Sequence, residues 1–158
     1  HEYLTETGAH EGTAALRVDK DVMTVRYRHP APVSGKVTVW FYDDASKEQA
    51  ACLAKLSGPA AIEEGVIALG VDGSLSRDHY VVQLWEDRII ATTVSRATGW
   101  HELVFDVSEG KEHGTEIALD GQRVGRVPMF QAFTTIELGD ARFGSDSVGL
   151  GFDSLSIE

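Results

Sequence analysis

The chain has 158 residues, 42% hydrophobic and 25% charged, a composition that suits one globular domain with a sizeable core rather than a disordered or membrane class. A formal net charge of -11 repels phosphate backbones and argues against a nucleic-acid partner, and no apolar run reaches the roughly 18 to 20 residues that span a bilayer. Cys52 is the only cysteine, which excludes a disulfide framework and a thiolate metal cluster; between Ala51 and Leu53 it reads as a small buried hydrophobe. The first expected strand is Thr13–Val18, followed by Val22–Arg28, where Pro30 and Pro32 are expected to end the pairing. Lys36–Asp43 alternates Val37, Val39 and Phe41 with Thr38, Trp40 and Tyr42. Ala45–Leu56 is the exception, rich in Ala, Lys and Glu, and reads as either one short helix or a buried strand. Val66–Val71 ends in Asp72-Gly73, and His79–Trp85 with Arg88–Val94 flank Glu86-Asp87 as a hairpin. In Arg96–Val124, Leu103, Phe105 and Val107 alternate with Glu102, Val104 and Asp106. Ile117 and Leu119 repeat the alternation before a tight turn at Asp120-Gly121. Phe133–Leu138 and Leu150–Ile157 close the chain.

Several of these short strands recur at intervals of about 8 to 12 residues with turn signals between them, which predicts an all-β sandwich or barrel. The chain opens at His1 without a basic-then-apolar leader, so it reads as a single domain, 1–158, excised from a larger protein.

The C-terminal half carries a family resemblance. Arg96-x-x-Gly99-Trp100-His101, an alternating strand, and Ile117-x-Leu119-Asp120-Gly121 resemble the concanavalin A-like and laminin-G-like jelly rolls. The tail from Ile136-Glu137-Leu138-Gly139 to Gly149-Leu150-Gly151-Phe152-Asp153-Ser154-Leu155 is similar to their closing strand pair, with Ser154 where a second acidic residue is common. The resemblance implies a two-sheet antiparallel β-sandwich with a core about 10 Å thick, one sheet concave and lining a groove for an extended ligand. It also implies an extracellular or cell-surface setting, and calcium as a structural ion. Glu6 and Asp153 are then the best metal ligands, with Glu2 as a substitute, because calcium takes six to eight oxygens.

Catalytic motifs are sparse. The E-x-D-x-x-E of laminarinase-type glycosidases is missing, as are recognisable alginate-lyase sets, and no G-x-S-x-G elbow is present. Glu102 and Asp106 share one strand face and form the best carboxylate pair, though acidic residues are usually exposed and a solvated outer face is the simpler reading. The histidines lack metal-type spacing, and His101 has the parity of the inward Leu103 and Phe105. By alternation, Val25 and Tyr27 point inward and Arg26 and Arg28 outward, while Tyr80, Val82 and Leu84 point inward and leave Gln83 and Trp85 outward. If their strands share the concave sheet, Arg26, Arg28, Trp40, Tyr42, Gln83 and Trp85 form a saccharide platform. Aromatic faces stack on sugar C–H groups, and arginines suit an acidic sugar. The expected function is a non-catalytic carbohydrate-binding or accessory module that holds a polysaccharide or oligosaccharide for a neighbouring domain. The alternatives are a glycosidase or polysaccharide lyase of the same fold, and a structural domain packed against a parent enzyme.

Overall fold

The computed structural model describes residues 4–5, 10, 15–18, 24–45, 50–58, 65–85, 88–108, 114–139 and 150–158. Among these, all regular structure is strand: β1 (Leu4–Thr5), β2 (Ala15–Val18), β3 (Val25–Val33), β4 (Gly35–Asp43), β5 (Ala50–Ser57), β6 (Val66–Asp72) and β7 (Ser76–Leu84) come first. They are followed by β8 (Arg88–Ser95), β9 (Gly99–Val107), β10 (Thr115–Leu119), β11 (Gln122–Val127), β12 (Phe133–Leu138) and β13 (Leu150–Ile157). A seven-stranded sheet runs β1-β2-β13-β4-β9-β10-β11, and a six-stranded sheet runs β3-β12-β5-β6-β7-β8. Every paired ladder is antiparallel.

Period-two alternation builds the core between the sheets. Val37, Val39 and Phe41 of β4 and Leu103, Phe105 and Val107 of β9 meet Leu56, Ile67, Leu69 and Val82 from the other sheet, all of them buried. The β10–β11 hairpin turns at Asp120 (φ 49°) and Gly121 (φ 77°), the two positive φ values that a tight two-residue turn requires. Asp120 also supports the preceding strand, because its Oδ1 accepts the Glu102 backbone N–H at 2.9 Å.

The segment 45–56 resolves in favour of the strand: its described part is β5, central in the six-stranded sheet between β12 and β6. Burial on both faces of a central strand gives ACLAKL its near-continuous apolar run, which mimics a helix face. Cys52 is buried as expected. Pro30 and Pro32 do not end pairing, because β3 continues to Val33. It is an edge strand whose ladder shifts between Phe133 and Thr135, so the missing proline N–H groups cost no ladder bonds. At that edge Val25 and Tyr27 are 39% and 47% exposed rather than buried.

One polar cluster fastens the sheets together. Asp43, at the end of β4, is fully buried. It accepts hydrogen bonds from Arg96 Nε (3.0 Å) and Nη2 (2.7 Å), just beyond β8, and from the Tyr80 hydroxyl on β7 (2.9 Å). Burial, and then the Asp43 charge, push the Tyr80 hydroxyl pKa far up. Burial alone would lower the Arg96 pKa, but the hydrogen bonds and charge of Asp43 prevail and raise it. His101 packs beside Tyr80 (5.7 Å) and Phe41 (5.4 Å), with Nε2 donating to the Ala97 carbonyl at 2.7 Å and Nδ1 2.6 Å from the Asp120 carboxylate. It is an inward, satisfied histidine, as its parity predicts.

Candidate functional site

The outward face of the six-stranded sheet carries a charged row. Arg26 of β3 lies opposite Glu137 of β12, which lies opposite Lys55 of β5; Lys55 in turn is opposite Ala68 of β6, and Ala68 opposite Gln83 of β7. Directly opposed residues project from the same face, so these five side chains form one line, with about 19 Å from the first strand to the fifth. Two residues along, Arg28, Thr135, Ser57 and Val66 form the next row on the same face.

Glu137 is shared between two cations. Arg26 donates through Nε to its Oε1, and Nη2 lies against the same oxygen, while the Lys55 ammonium lies against Oε2. The side chains of Glu137 and Lys55 are only 5% and 4% exposed, whereas that of Arg26 is 62% exposed. The Lys55–Glu137 pair is therefore buried and the arginine faces solvent. The row has two cations against one carboxylate, and exposed Arg28 adds a third positive group.

The six residues expected to form one platform divide three ways. Arg26, Arg28 and Gln83 share the six-stranded face. Trp40 and Tyr42 do not, because β3 and β4 are consecutive in sequence yet lie in different sheets. Trp85 lies on neither face. Its φ of 73° ends the strand alternation, and it packs against the core, with its ring so close to Gly65 that a Cβ there would sit 2.8 Å from the indole. Sequence reasoning missed Lys55 and Glu137. Lys55 sits in the ambiguous 45–56 window, and the parity of Phe133–Leu138 was the one signal that could have pointed Glu137 outward.

Trp40 and Tyr42 belong to a second cluster, on the outer face of the seven-stranded sheet. Trp40 lies between Asp153 of β13 and Glu102 of β9, and Tyr42 lies between Gly151 and Trp100. Tyr42 and Trp100 meet edge to face at 5.6 Å. The His10 ring stacks on Trp40 with centroids 3.7 Å apart and planes 15° apart, and its backbone N–H donates to Asp153 Oδ2 at 2.9 Å.

Of the expected calcium ligands, Glu6 and its substitute Glu2 lie outside the described residues. Asp153 accepts the Ser154 N–H (2.7 Å) on Oδ1 in addition to the His10 N–H on Oδ2. Among the described residues no group of three His, Cys, Asp or Glu side chains could hold a metal ion. The other carboxylate pair, Glu102 and Asp106, shares the outward face of β9, with Cα atoms about 13 Å apart by strand rise.

Two antiparallel sheets packed face to face, with consecutive strands crossing between them, define a concanavalin A-like jelly-roll sandwich. No family model matches the sequence, and neither does any curated protein sequence. Solved structures with this fold include a tetrameric galectin from the ball sponge Cinachyrella sp., 10% identical with a TM-score of 0.58 over 85% of this chain and 99% of the galectin. An endo-β-1,4-glucuronan lyase from Trichoderma reesei is 12% identical, with a TM-score of 0.59 over 99% of this chain and 86% of the lyase. An alginate lyase in complex with an alginate trisaccharide is 9% identical, with a TM-score of 0.50 over 98% of this chain and 78% of the enzyme. At such identities the likeness is one of fold.

Proposed function

We propose that this chain is a non-catalytic carbohydrate-binding module that holds an acidic polysaccharide along the exposed Arg26 and Arg28 edge of the six-stranded sheet. The observation that carries the reading is the Arg26–Glu137–Lys55 row with Arg28 beside it. Guanidinium groups recognise carboxylates by paired, charge-assisted hydrogen bonds. Lys55 already neutralises Glu137, so Arg26 keeps attraction for a ligand carboxylate although it touches a carboxylate of its own. The glucuronan and alginate lyases are named for acidic polysaccharides and the galectin class for sugar binding, which supports a carbohydrate ligand without deciding between binding and cleavage. Binding is favoured over cleavage because the one amine in the row, Lys55, is buried and ion-paired, and so is badly placed to take a substrate proton.

In this reading the module serves a neighbouring domain of an exported protein. Calcium at Asp153 and Glu6 remains part of the proposal as a structural ion tying the N-terminal segment to the closing strand; a rise in Tm when calcium is returned to chelator-treated protein is its readout.

Calorimetric titration with oligoglucuronate and oligoalginate, against a neutral cello-oligosaccharide, tests the proposal. Binding should favour the acidic oligomers and weaken with salt. Arg26→Ala and Arg28→Ala should each weaken it by about tenfold or more, given about 1.5–3 kcal/mol per hydrogen bond to a charged group. Undiminished binding in the double variant would refute the site. Unsaturated sugar ends appearing on incubation would establish the lyase reading in its place.

A further inference from the structure

Apart from Asp153, the proposed calcium ligand, the cluster on the opposite sheet plays no part in that reading, and one of its contacts has the form of a bound ligand. His10 is far in sequence from the strands it touches, and it makes two contacts there. Its flat ring lies parallel on Trp40, and its N–H donates to the Asp153 carboxylate. A pyranose ring bound at an aromatic platform makes the same two: an apolar ring face on the indole and a hydroxyl donated to a carboxylate. Trp100 closes one side, edge-on to His10 at 6.0 Å, and Gly151 opposite Tyr42 adds no side chain to the floor.

The His10 contact is also poorly completed. Among the described residues its buried ring Nδ1 has no hydrogen-bond partner. An unpaired buried nitrogen opposes the gain from stacking, so the ring can leave and be replaced by a better one. When it leaves, Asp153 loses an N–H donor that a sugar hydroxyl can replace. Asp153 and Glu102 flank Trp40 on the two neighbouring strands, so the cradle repels carboxylated sugars while offering acceptors to hydroxyls.

We infer that the cradle of Trp40, Tyr42 and Trp100, with Asp153 and Glu102, is a second carbohydrate subsite, for an uncharged pyranose ring, which the chain's own His10 fills when no ligand is bound. It stands independently of the acidic-polysaccharide face, since it shares no residue with it.

The test is calorimetric and fluorescence titration of wild type, His10→Ala and His10→Phe with uncharged oligosaccharides of glucose, mannose, galactose, xylose and N-acetylglucosamine. His10→Ala should change Trp emission and bind at least one of them about fivefold or more tightly than wild type. His10→Phe, which stacks without an unpaired nitrogen, should bind it more weakly than wild type. Adding Trp40→Ala to His10→Ala should abolish the gain. Unchanged Trp emission in His10→Ala would overturn the seated ring. Equal affinities across the three proteins, no binding by any of them, or binding that survives Trp40→Ala would overturn the subsite. Oligoglucuronate affinity should be the same in wild type and His10→Ala, so failure of either site is read separately.

Discussion

Replacing Asp43 with asparagine should be among the most damaging single changes in this molecule. The carboxylate is fully buried and accepts from Arg96 Nε, Arg96 Nη2, Tyr80 Oη and the Ala45 backbone N–H. Asparagine keeps the volume but removes the charge and turns an NH2 group toward donors. The Arg96 side chain, 3% exposed, cannot rehydrate in place and loses its buried counter-ion. Breaking a buried pair by removing one partner costs about 3–5 kcal/mol, a large share of the roughly 5–15 kcal/mol that holds a domain folded. For a chain of this size, that translates into a fall in Tm of about 6–20 °C. Urea unfolding and calorimetry measure it directly. The companion variant Asp43→Asn with Arg96→Met should recover part of the loss, because it removes the buried cation together with its counter-ion. A single variant within about 1 kcal/mol of wild type would refute the claim that this cluster fastens the sheets, since that is the ordinary range of a surface pair.

Tyr80 gives the same cluster a pH signature. Its folded-state pKa lies above the ordinary 10.0, so above about pH 10 the unfolded chain loses a proton that the folded protein keeps. The Tyr80 contribution is fully present below pH 10 and declines above it, by up to about 1.4 kcal/mol per pH unit. Alkaline urea titrations of wild type and Tyr80→Phe should differ by that slope, and parallel curves would contradict it. Trp85→Ala should lower stability by about 3 kcal/mol, through lost packing against Gly65 and the core, while leaving acidic-oligosaccharide affinity unchanged. A loss of affinity at intact stability would return Trp85 to the ligand face.

The two-residue period made strand positions legible, and Phe133–Leu138 and Leu150–Ile157 coincide with β12 and β13. It also sorted inward from outward within each strand, as with Val37, Val39 and Phe41. It carries no information about which of two sheets a strand joins, however, and that is where the expected platform came apart. Val33 ends β3 and Gly35, two residues on, begins β4, yet the two strands lie on opposite sides of the core. Alternation also fails where the backbone leaves the β region, as at Trp85. Lys55 was hidden for a different reason: a buried ion pair needs a partner 82 positions away in Glu137, and no local pattern reports such a contact.

The Lys55–Glu137 pair is itself the strongest reason to look for function on the six-stranded face. Taking two charges out of water costs several kcal/mol per ion in real proteins, and well-packed apolar replacements of buried pairs are often neutral or stabilising by about 1–4 kcal/mol. A sandwich that needed only a covered sheet face would be served by apolar residues, like the adjacent Ala68 and Val81, both nearly fully buried. What the pair supplies is position: Glu137 orients the exposed Arg26 guanidinium, and Lys55 cancels the charge with which Glu137 would oppose an acidic ligand. The double variant Lys55→Met with Glu137→Leu separates the two roles. Its stability should equal or exceed that of wild type in urea, while oligoglucuronate affinity falls severalfold because Arg26 loses its orienting partner. A double variant that is destabilised by several kcal/mol yet binds the acidic oligomer as tightly as wild type would mean that the pair serves packing alone.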